Sequence, residues 1–286
     1  AKPPIAILEW LPGLKEFEPV QDPEWSKKAE QHPTLYNNHL LIYEKARPGY
    51  VYTCGVDSSY GLEQDSSTVE VVRVGNRAEP AEQVAEFATN TLDPVELAAP
   101  AMWIGKYYED TARGRPALMA PESSPGSPGI STLTQMVQAG YGNFYVWRKP
   151  TDATGKGWKT EVGWHTTNAT RPLLTDVGVN AIIKGRGRIN SLPFCREMDS
   201  FIEVFNETTG HKKKEHAPGN CDDRIFGVFI AFYVSHEDGT IKVAESALEQ
   251  EAAKHRSPTE VVQFQQVLTG PGDPDPFEEW EDRYGG

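Results

Sequence analysis

Near the far end of the chain stands Asp222-Asp223-Arg224-Ile225-Phe226-Gly227-Val228-Phe229-Ile230-Ala231-Phe232-Tyr233-Val234-Ser235, a segment that opens on two acids and is then apolar almost all the way round. A helix with no polar face cannot lie on a surface; it must be covered on every side, and a sheet face flanked by other helices is the natural cover. No apolar run in the chain approaches the ~18 residues needed to cross a bilayer, so no membrane is expected.

The strands that build the cover are legible upstream. In Tyr50-Val51-Tyr52-Thr53-Cys54-Gly55-Val56-Asp57 the residues are mostly β-formers, and the run ends on an acid before the turn Ser58-Ser59-Tyr60-Gly61. Residues 67–74 (STVEVVRV) and 82–88 (EQVAEFA) read as two more strands. Asp93, Pro94 and Glu96 make a capping box for a helix to about Arg113, with an apolar stripe interrupted by Pro100. A short buried strand, 116–122 (PALMAPE), ends on Glu122, and Ser127 is expected to cap a helix from Pro128 to Gly140. Residues 143–148 form a further strand, 172–184 a helix ending at Gly185, and 195–215 contain a hairpin turning near Thr208–Gly210. The order predicts an α/β protein with a mixed central sheet and helices on both faces. Residues 1–48 show little periodicity and read as an irregular arm or linker. The stretch 49–240 is the domain, and 241–286 is one amphipathic stretch (Val243–His255) and an acidic tail expected to be disordered.

Two acids, Asp57 and Glu122, thus end apolar strands, and Asp222 and Asp223 begin the buried helix. Strand ends in an open α/β sheet face a common crevice. Any one of these acids alone reads as a turn or cap residue; the joint pattern is what points to chemistry. Clustered carboxylates suit Mg²⁺ or Mn²⁺, hard ions that favour oxygen. Two such ions ~3.5–4 Å apart can activate water and stabilise the leaving oxygen of a phosphodiester. A helix N-terminus favours ionised Asp222 and Asp223 by roughly 0.3–1 kcal/mol. The three cysteines, Cys54, Cys195 and Cys221, are too scattered for a zinc cluster or a disulfide framework.

Together these segments resemble the nuclease domain of phage large terminases. Gly55-Val56-Asp57-Ser58-Ser59-Tyr60-Gly61 with Asp65-Ser66-Ser67 is similar to the family's opening strand and hairpin, and Leu97 through Tyr108 to the helix that follows. Ala120-Pro121-Glu122-Ser123-Ser124-Pro125-Gly126 is similar to its acid-bearing strand and glycine loop. Tyr141-Gly142-Asn143-Phe144-Tyr145 and Gly157-Trp158-Lys159-Thr160 resemble later landmarks, and Asp222-Asp223-Arg224-Ile225 the diaspartate opening the last helix. The resemblance covers about residues 45–236. It implies a ribonuclease H-like fold and a two-metal endonuclease that cuts double-stranded viral DNA concatemers, with little sequence specificity, in the cytoplasm of the infected host cell. Asp57, Glu122 and Asp222 carry over as metal ligands, with Asp223 as an adjacent helper. It also implies a terminase ATPase domain, a small terminase and a portal protein as partners. The chain departs from the pattern in two ways: Asn220-Cys221 stand where Gly-His often precedes the aspartates, with His216 within reach, and no phosphate-binding G-x-x-x-x-G-K-[ST] loop occurs. Residues 1–48 then read as a stub after an ATPase domain, or the chain as an excised fragment.

A net charge of −13 argues on its face against a DNA partner, but the charge is unevenly spread. Residues 140–214 hold twelve Lys/Arg and seven Asp/Glu, and residues 268–286 hold six acids and one Arg. Lys212, Lys213 and Lys214, expected at the hairpin tip, together with Arg148, Lys149, Lys156, Lys159, Arg186 and Arg188, are candidates to grip phosphates; a solvated basic surface is the competing reading. Trp158 and Trp164 read as packing residues before stacking platforms, and His165 as a surface histidine. Two other function classes stay open: an actin-like or sugar-kinase-type ATPase, whose second phosphate-binding hairpin is not found, and a non-catalytic docking module of a packaging motor.

Overall fold

The structure, a computed structural model, describes residues 1–31, 36–61, 65–76, 78–150, 158–205, 212–216 and 222–236. The chain begins with β1 (Ala6–Leu11), β2 (Glu16–Pro19), α1 (Trp25–Gln31) and β3 (His39–Ile42). The middle comprises β4 (Tyr52–Asp57), β5 (Ser67–Arg73), β6 (Ala81–Thr89), α2 (Ala98–Tyr107), β7 (Leu118–Pro121), α3 (Gly129–Gln138), β8 (Val146–Pro150) and β9 (Trp158–Val162). Then come α4 (Thr170–Ile183), β10 (Gly187–Arg188), α5 (Leu192–Asp199), β11 (Phe201–Phe205), β12 (Lys212–His216) and α6 (Asp223–His236).

The main sheet has eight strands, ordered β2-β1-β3-β6-β5-β4-β7, with β10 also pairing β6. It is mixed, as expected: β4·β7 and β6·β10 are parallel and the other pairs antiparallel. Side-chain alternation sorts the two faces. Tyr52, Cys54, Val56, Val69 and Val71 join the core formed with α2 and α3, around Ala101, Met102, Leu133 and Met136. Thr53, Gly55, Thr68, Glu70 and Val72 face the other way, towards α6. By the same alternation Asp57 belongs to the α6 face. Helix α6 is enclosed as its composition demands, with Ile225, Phe226, Val228, Phe229, Ile230, Ala231, Phe232 and Val234 all buried against the sheet, α4 and α5.

What permits so close an approach is glycine on both partners. A Cβ at Gly55 would stand 1.9 Å from the Gly227 carbonyl oxygen and 2.9 Å from the Ala231 nitrogen, and a Cβ at Gly227 would meet Glu70 and Thr68 at 2.8 Å. Thr53 Oγ1 seals the contact by donating to the Ala231 carbonyl at 2.9 Å.

Residues 1–48 are not the irregular arm expected from their weak periodicity. β3 pairs antiparallel with β6, β1 with β3, and β2 with β1, so three strands extend the main sheet. Phe17 packs on Trp10 and Trp103 with ring centroids 4.9 and 5.0 Å away. These strands are four to six residues long, too short to impose a readable period. Elsewhere the Asp93–Glu96 capping box forms as expected, Asp93 Oδ1 accepting from Val95 N and Glu96 N at 2.8 Å, although regular helix starts only at Ala98. Ser127 does not cap α3; its hydroxyl is buried with no hydrogen-bond partner among the described residues, and Pro128 takes the cap position. Helix α5, capped by Ser191 accepting from Phe194 N at 2.9 Å, adds to the elements expected from the sequence. The 241–286 stretch lies outside the described residues.

Replacing Gly55 by Ala forces the two backbones apart, and overpacking of this kind costs about 1–3 kcal/mol or more. A Gly55→Ala protein is therefore expected to melt lower by roughly 2–4 °C per kcal/mol of destabilisation; a thermal melt at unchanged Tm would show that α6 does not touch β4 in this way.

Candidate active site

β4 and β7 run parallel, so their C-terminal ends coincide: Val56 pairs with Pro121, and Glu122 N donates to the Val56 carbonyl at 2.8 Å. Asp57 and Glu122 therefore emerge side by side. Antiparallel β5 starts at the same end, with Asp57 opposite Thr68. Thr68 Oγ1 donates to the Asp223 carbonyl at 3.2 Å, and Ser66 N to Asp223 Oδ2 at 2.8 Å, which brings the start of α6 to the same place. β4 is the strand from which the sheet order runs β5-β6 one way and β7 the other, the switch point at which open α/β sheets bind ligands.

The four sequence-nominated acids thus come from three elements to one sheet end. Their electrostatics agree with that placement. The Asp57 carboxyl is pushed well above the usual carboxylate range, first by burial and then by the charges of Asp223, Glu122 and Asp222, with Arg171 opposing. Asp223 is raised to about 7, mainly by burial against the Ser66 hydrogen bond that lowers it, with Glu197, Asp65 and Asp222 adding repulsion.

Each flanking acid has a protein partner. Asp222 Oδ2 accepts from Arg171 Nη2 at 2.9 Å, and that guanidinium lies 4.0 Å from the centroid of the Phe226 ring. Glu122 Oε1 accepts a short hydrogen bond from Ser124 Oγ and a long one from Thr166 N at 3.4 Å. Ser124 Oγ and Thr166 N are themselves bonded at 2.8 Å. Asp57, by contrast, receives no hydrogen bond from the described residues. One segment, 164–171, therefore serves both sides of the site, Thr166 at Glu122 and Arg171 at Asp222. Gly163, at φ +85°, starts it; a Cβ there would strike Ser123 Oγ and the Pro121 carbonyl at 2.4 and 2.5 Å.

Among the described residues no group of three or more His, Cys, Asp or Glu side chains stands assembled to hold a metal ion. The donor chemistry nevertheless fits a hard divalent cation. The set is all carboxylate, and Asp57 is buried among like charges with one arginine opposing them, so it needs either a proton or a bound cation.

The sequence reading missed Arg171, Ser124 and Thr166. A signal existed for Arg171: a cation in the first turn of a helix opposes the helix dipole, which points to an anionic partner nearby. Nothing local marked Ser124 or Thr166, which reach Glu122 only through the fold.

The basic candidates divide. β8 and β9 form a separate antiparallel hairpin whose base adjoins the site, through bridges Glu122↔Trp164 and Val146↔Gly163. Arg148 and Lys149 lie on β8, and Lys159 on β9, where its Nζ pairs with Glu161 Oε1 at 2.6 Å. Lys156 lies outside the described residues, as does Cys221. Arg186 and Arg188 are exposed but sit by the Ala81–Glu82 end of β6, opposite the acids, roughly 17 Å away along the strands. Alternation and charge could not say which sheet end they would reach, and the structure does not bring them to the site. Lys212, Lys213 and Lys214 lie on strand β12, in register with Phe205, Val204 and Glu203, rather than at the hairpin tip. Trp164 is fully buried against Trp147 and Tyr233, a packing residue as expected, and His165 Nδ1 pairs with Glu161 at 3.0 Å.

No family model matches the chain, and no curated relative does either. Solved structures do. The large terminase nuclease from thermophilic phage G20c with bound magnesium superposes with a TM-score of 0.51 at 14% identity, covering 68% of this chain and 86% of that one. The same nuclease with bound cobalt gives 0.51, 14%, 68% and 86%. A further structure of that nuclease gives 0.50, with 68% and 87% covered. At this identity the likeness is one of fold: the chain has the ribonuclease H-like fold of a large-terminase nuclease domain.

Because the folded site holds the Asp57 proton more tightly than the unfolded chain does, stability falls as pH rises from the ordinary carboxyl range of about 3.9 towards the raised folded value. Asp57→Asn removes this liability. In EDTA it is expected to raise Tm at pH 8, by roughly 2–4 °C for each kcal/mol relieved, and to have little effect near pH 4. Differential scanning calorimetry at the two pH values checks it; a lowered Tm at pH 8 contradicts the placement of Asp57.

Proposed function

We propose that the chain is a metal-dependent endonuclease that cuts double-stranded DNA, acting as the nuclease domain of a phage genome-packaging terminase in the cytoplasm of the infected bacterium. The observation that carries the reading is the convergence of Asp57, Glu122, Asp222 and Asp223 at the switch point of this fold. Support comes from the fold itself, shared with nucleases whose structures hold magnesium or cobalt.

In this reading Asp57, Glu122 and Asp222 would hold two divalent ions, Mg²⁺ or Mn²⁺, with Asp223 as an adjacent helper. Bound divalent metal supplies a hydroxide-like nucleophile at neutral pH and neutralises charge on the departing oxygen. The chain's own residues do the rest. Arg171 orients the Asp222 carboxylate by a charge-assisted bond. Ser124 and Thr166 fix the Glu122 carboxylate. The apolar shell around Val56, Ile225 and Phe226 excludes bulk water behind the acids and strengthens their field. Arg148, Lys149 and Lys159 on the β8–β9 hairpin, and Lys212, Lys213 and Lys214 on β12, hold phosphates without reading bases, which accords with low sequence specificity. An ATPase domain, a small terminase and a portal protein are the proposed partners.

Purified protein is expected to nick and linearise supercoiled plasmid with Mn²⁺ or Mg²⁺, and to lose that activity in EDTA or on Asp57→Ala. Cleavage that survives EDTA overturns the metal reading, and DNA binding without any cutting returns the chain to a docking role.

Converting Lys212, Lys213 and Lys214 together to Ala is expected to weaken duplex binding and flatten its dependence on log salt by roughly 0.9 for each phosphate that is no longer neutralised. Binding isotherms at several salt concentrations measure the slope; an unchanged slope removes these lysines from the DNA interface.

A further inference from the structure

Asp222 occupies the cap position of α6, since its carbonyl accepts the first helical bond, from Phe226 N at 3.1 Å. An aspartate there ordinarily turns its side chain onto the free N–H groups of the first turn. Asp222 does not: its carboxylate is bonded to Arg171 across the site. The N–H it would have taken, that of Arg224, goes instead to a residue of another helix. Glu197, in the last turn of α5, accepts from Arg224 N through Oε2 at 3.0 Å and from Arg224 Nη1 through Oε1 at 2.8 Å. One carboxylate thus grips both the backbone and the side chain of the residue that follows the diaspartate.

The grip is buried and braced. The side chains of Glu197 and Arg224 are 11% and 12% exposed, and Arg224 Nε lies 3.6 Å from Glu86 Oε2. Glu86 is held by Tyr43 Oη at 2.5 Å and by Ser191 Oγ at 2.7 Å, and Ser191 is the cap of α5. Buried ion pairs of this kind add little stability over apolar packing; here the pair ties Arg224 N and Nη1 to one carboxylate.

We propose that Glu197, through Arg224, caps α6 in place of Asp222 and is thereby the positioning residue that frees Asp222 for metal. The proposal rests on the nuclease reading above and adds a residue to it that touches neither substrate nor ion. Without Glu197 the free Arg224 N–H competes for the Asp222 carboxylate and draws it away from the site.

The test is the Mn²⁺ dissociation constant of the protein alone, by titration calorimetry without DNA, with circular dichroism and Tm in EDTA as controls of folding. Glu197→Asp keeps the charge but falls one methylene short. Glu197→Gln removes the charge but keeps a carbonyl oxygen at the right reach. Glu197→Asp is expected to weaken Mn²⁺ binding by about tenfold or more, as removal of supporting residues does at metal sites, and Glu197→Gln by no more than about threefold. Glu197→Ala serves if the Asp variant does not fold, with the same expectation. Unchanged affinity in the folded Asp or Ala variant overturns the proposal, as does equal weakening in Gln and Asp, which would make charge rather than reach the cause. Should the wild type bind no Mn²⁺, or Asp57→Ala bind it undiminished, the nuclease reading itself fails and takes this inference with it.

Discussion

The approach of α6 to the β4–β5 ladder is the contact on which the rest of the molecule turns. Two glycines, Gly55 and Gly227, let a helix backbone come against a strand backbone where any Cβ would collide. That proximity is what carries Asp222 and Asp223, at the mouth of the helix, to the end of the strand that bears Asp57. A helix seated farther out would keep its apolar burial and forfeit the cluster of charges. The buried face of the sheet is unusually polar in consequence: Glu70 and Glu86 lie beneath the helix, and Gln83, Asn190, Ser191 and Tyr43 hydrogen-bond within their network.

The site stores unfavourable electrostatics. Four carboxylates crowd one sheet end with Arg171 as the cation that opposes them at Asp57, and the folded chain answers by holding protons there more tightly. Behind it stands a second acidic group, Glu70, Glu86 and Glu197, around the Arg224 guanidinium. The two groups meet at consecutive residues of one helix turn, acids facing the site and arginine facing the interior.

Much of this is legible in the chain itself, and for definite reasons. The acids at strand ends stand out because β alternation stops at them, and the buried helix because apolar residues fill its whole circumference. The capping box at Asp93 and the helix stop at Gly185 follow from backbone chemistry that needs no tertiary partner. Legibility fails where elements are short or their partners remote. β1, β2 and β3 read as an arm because four to six residues carry no period. Helix α5 escapes notice although Ser191-Leu192-Pro193 carries a cap and a first-turn proline, and Glu197 within it has no feature of its own.

By itself the sequence determined the element types along most of the chain, the need for a covered helix, and the four acids that could act together, because each depends on neighbours within a few residues. Only the tertiary structure decided which sheet end those acids share, that Arg186 and Arg188 lie at the other end, and that Arg171, Ser124, Thr166 and Glu197 serve the acids. Those contacts join residues 27 to 51 positions apart, or, for Ser124, bend a loop back on itself. Register and helix seating set them, and no local pattern encodes either.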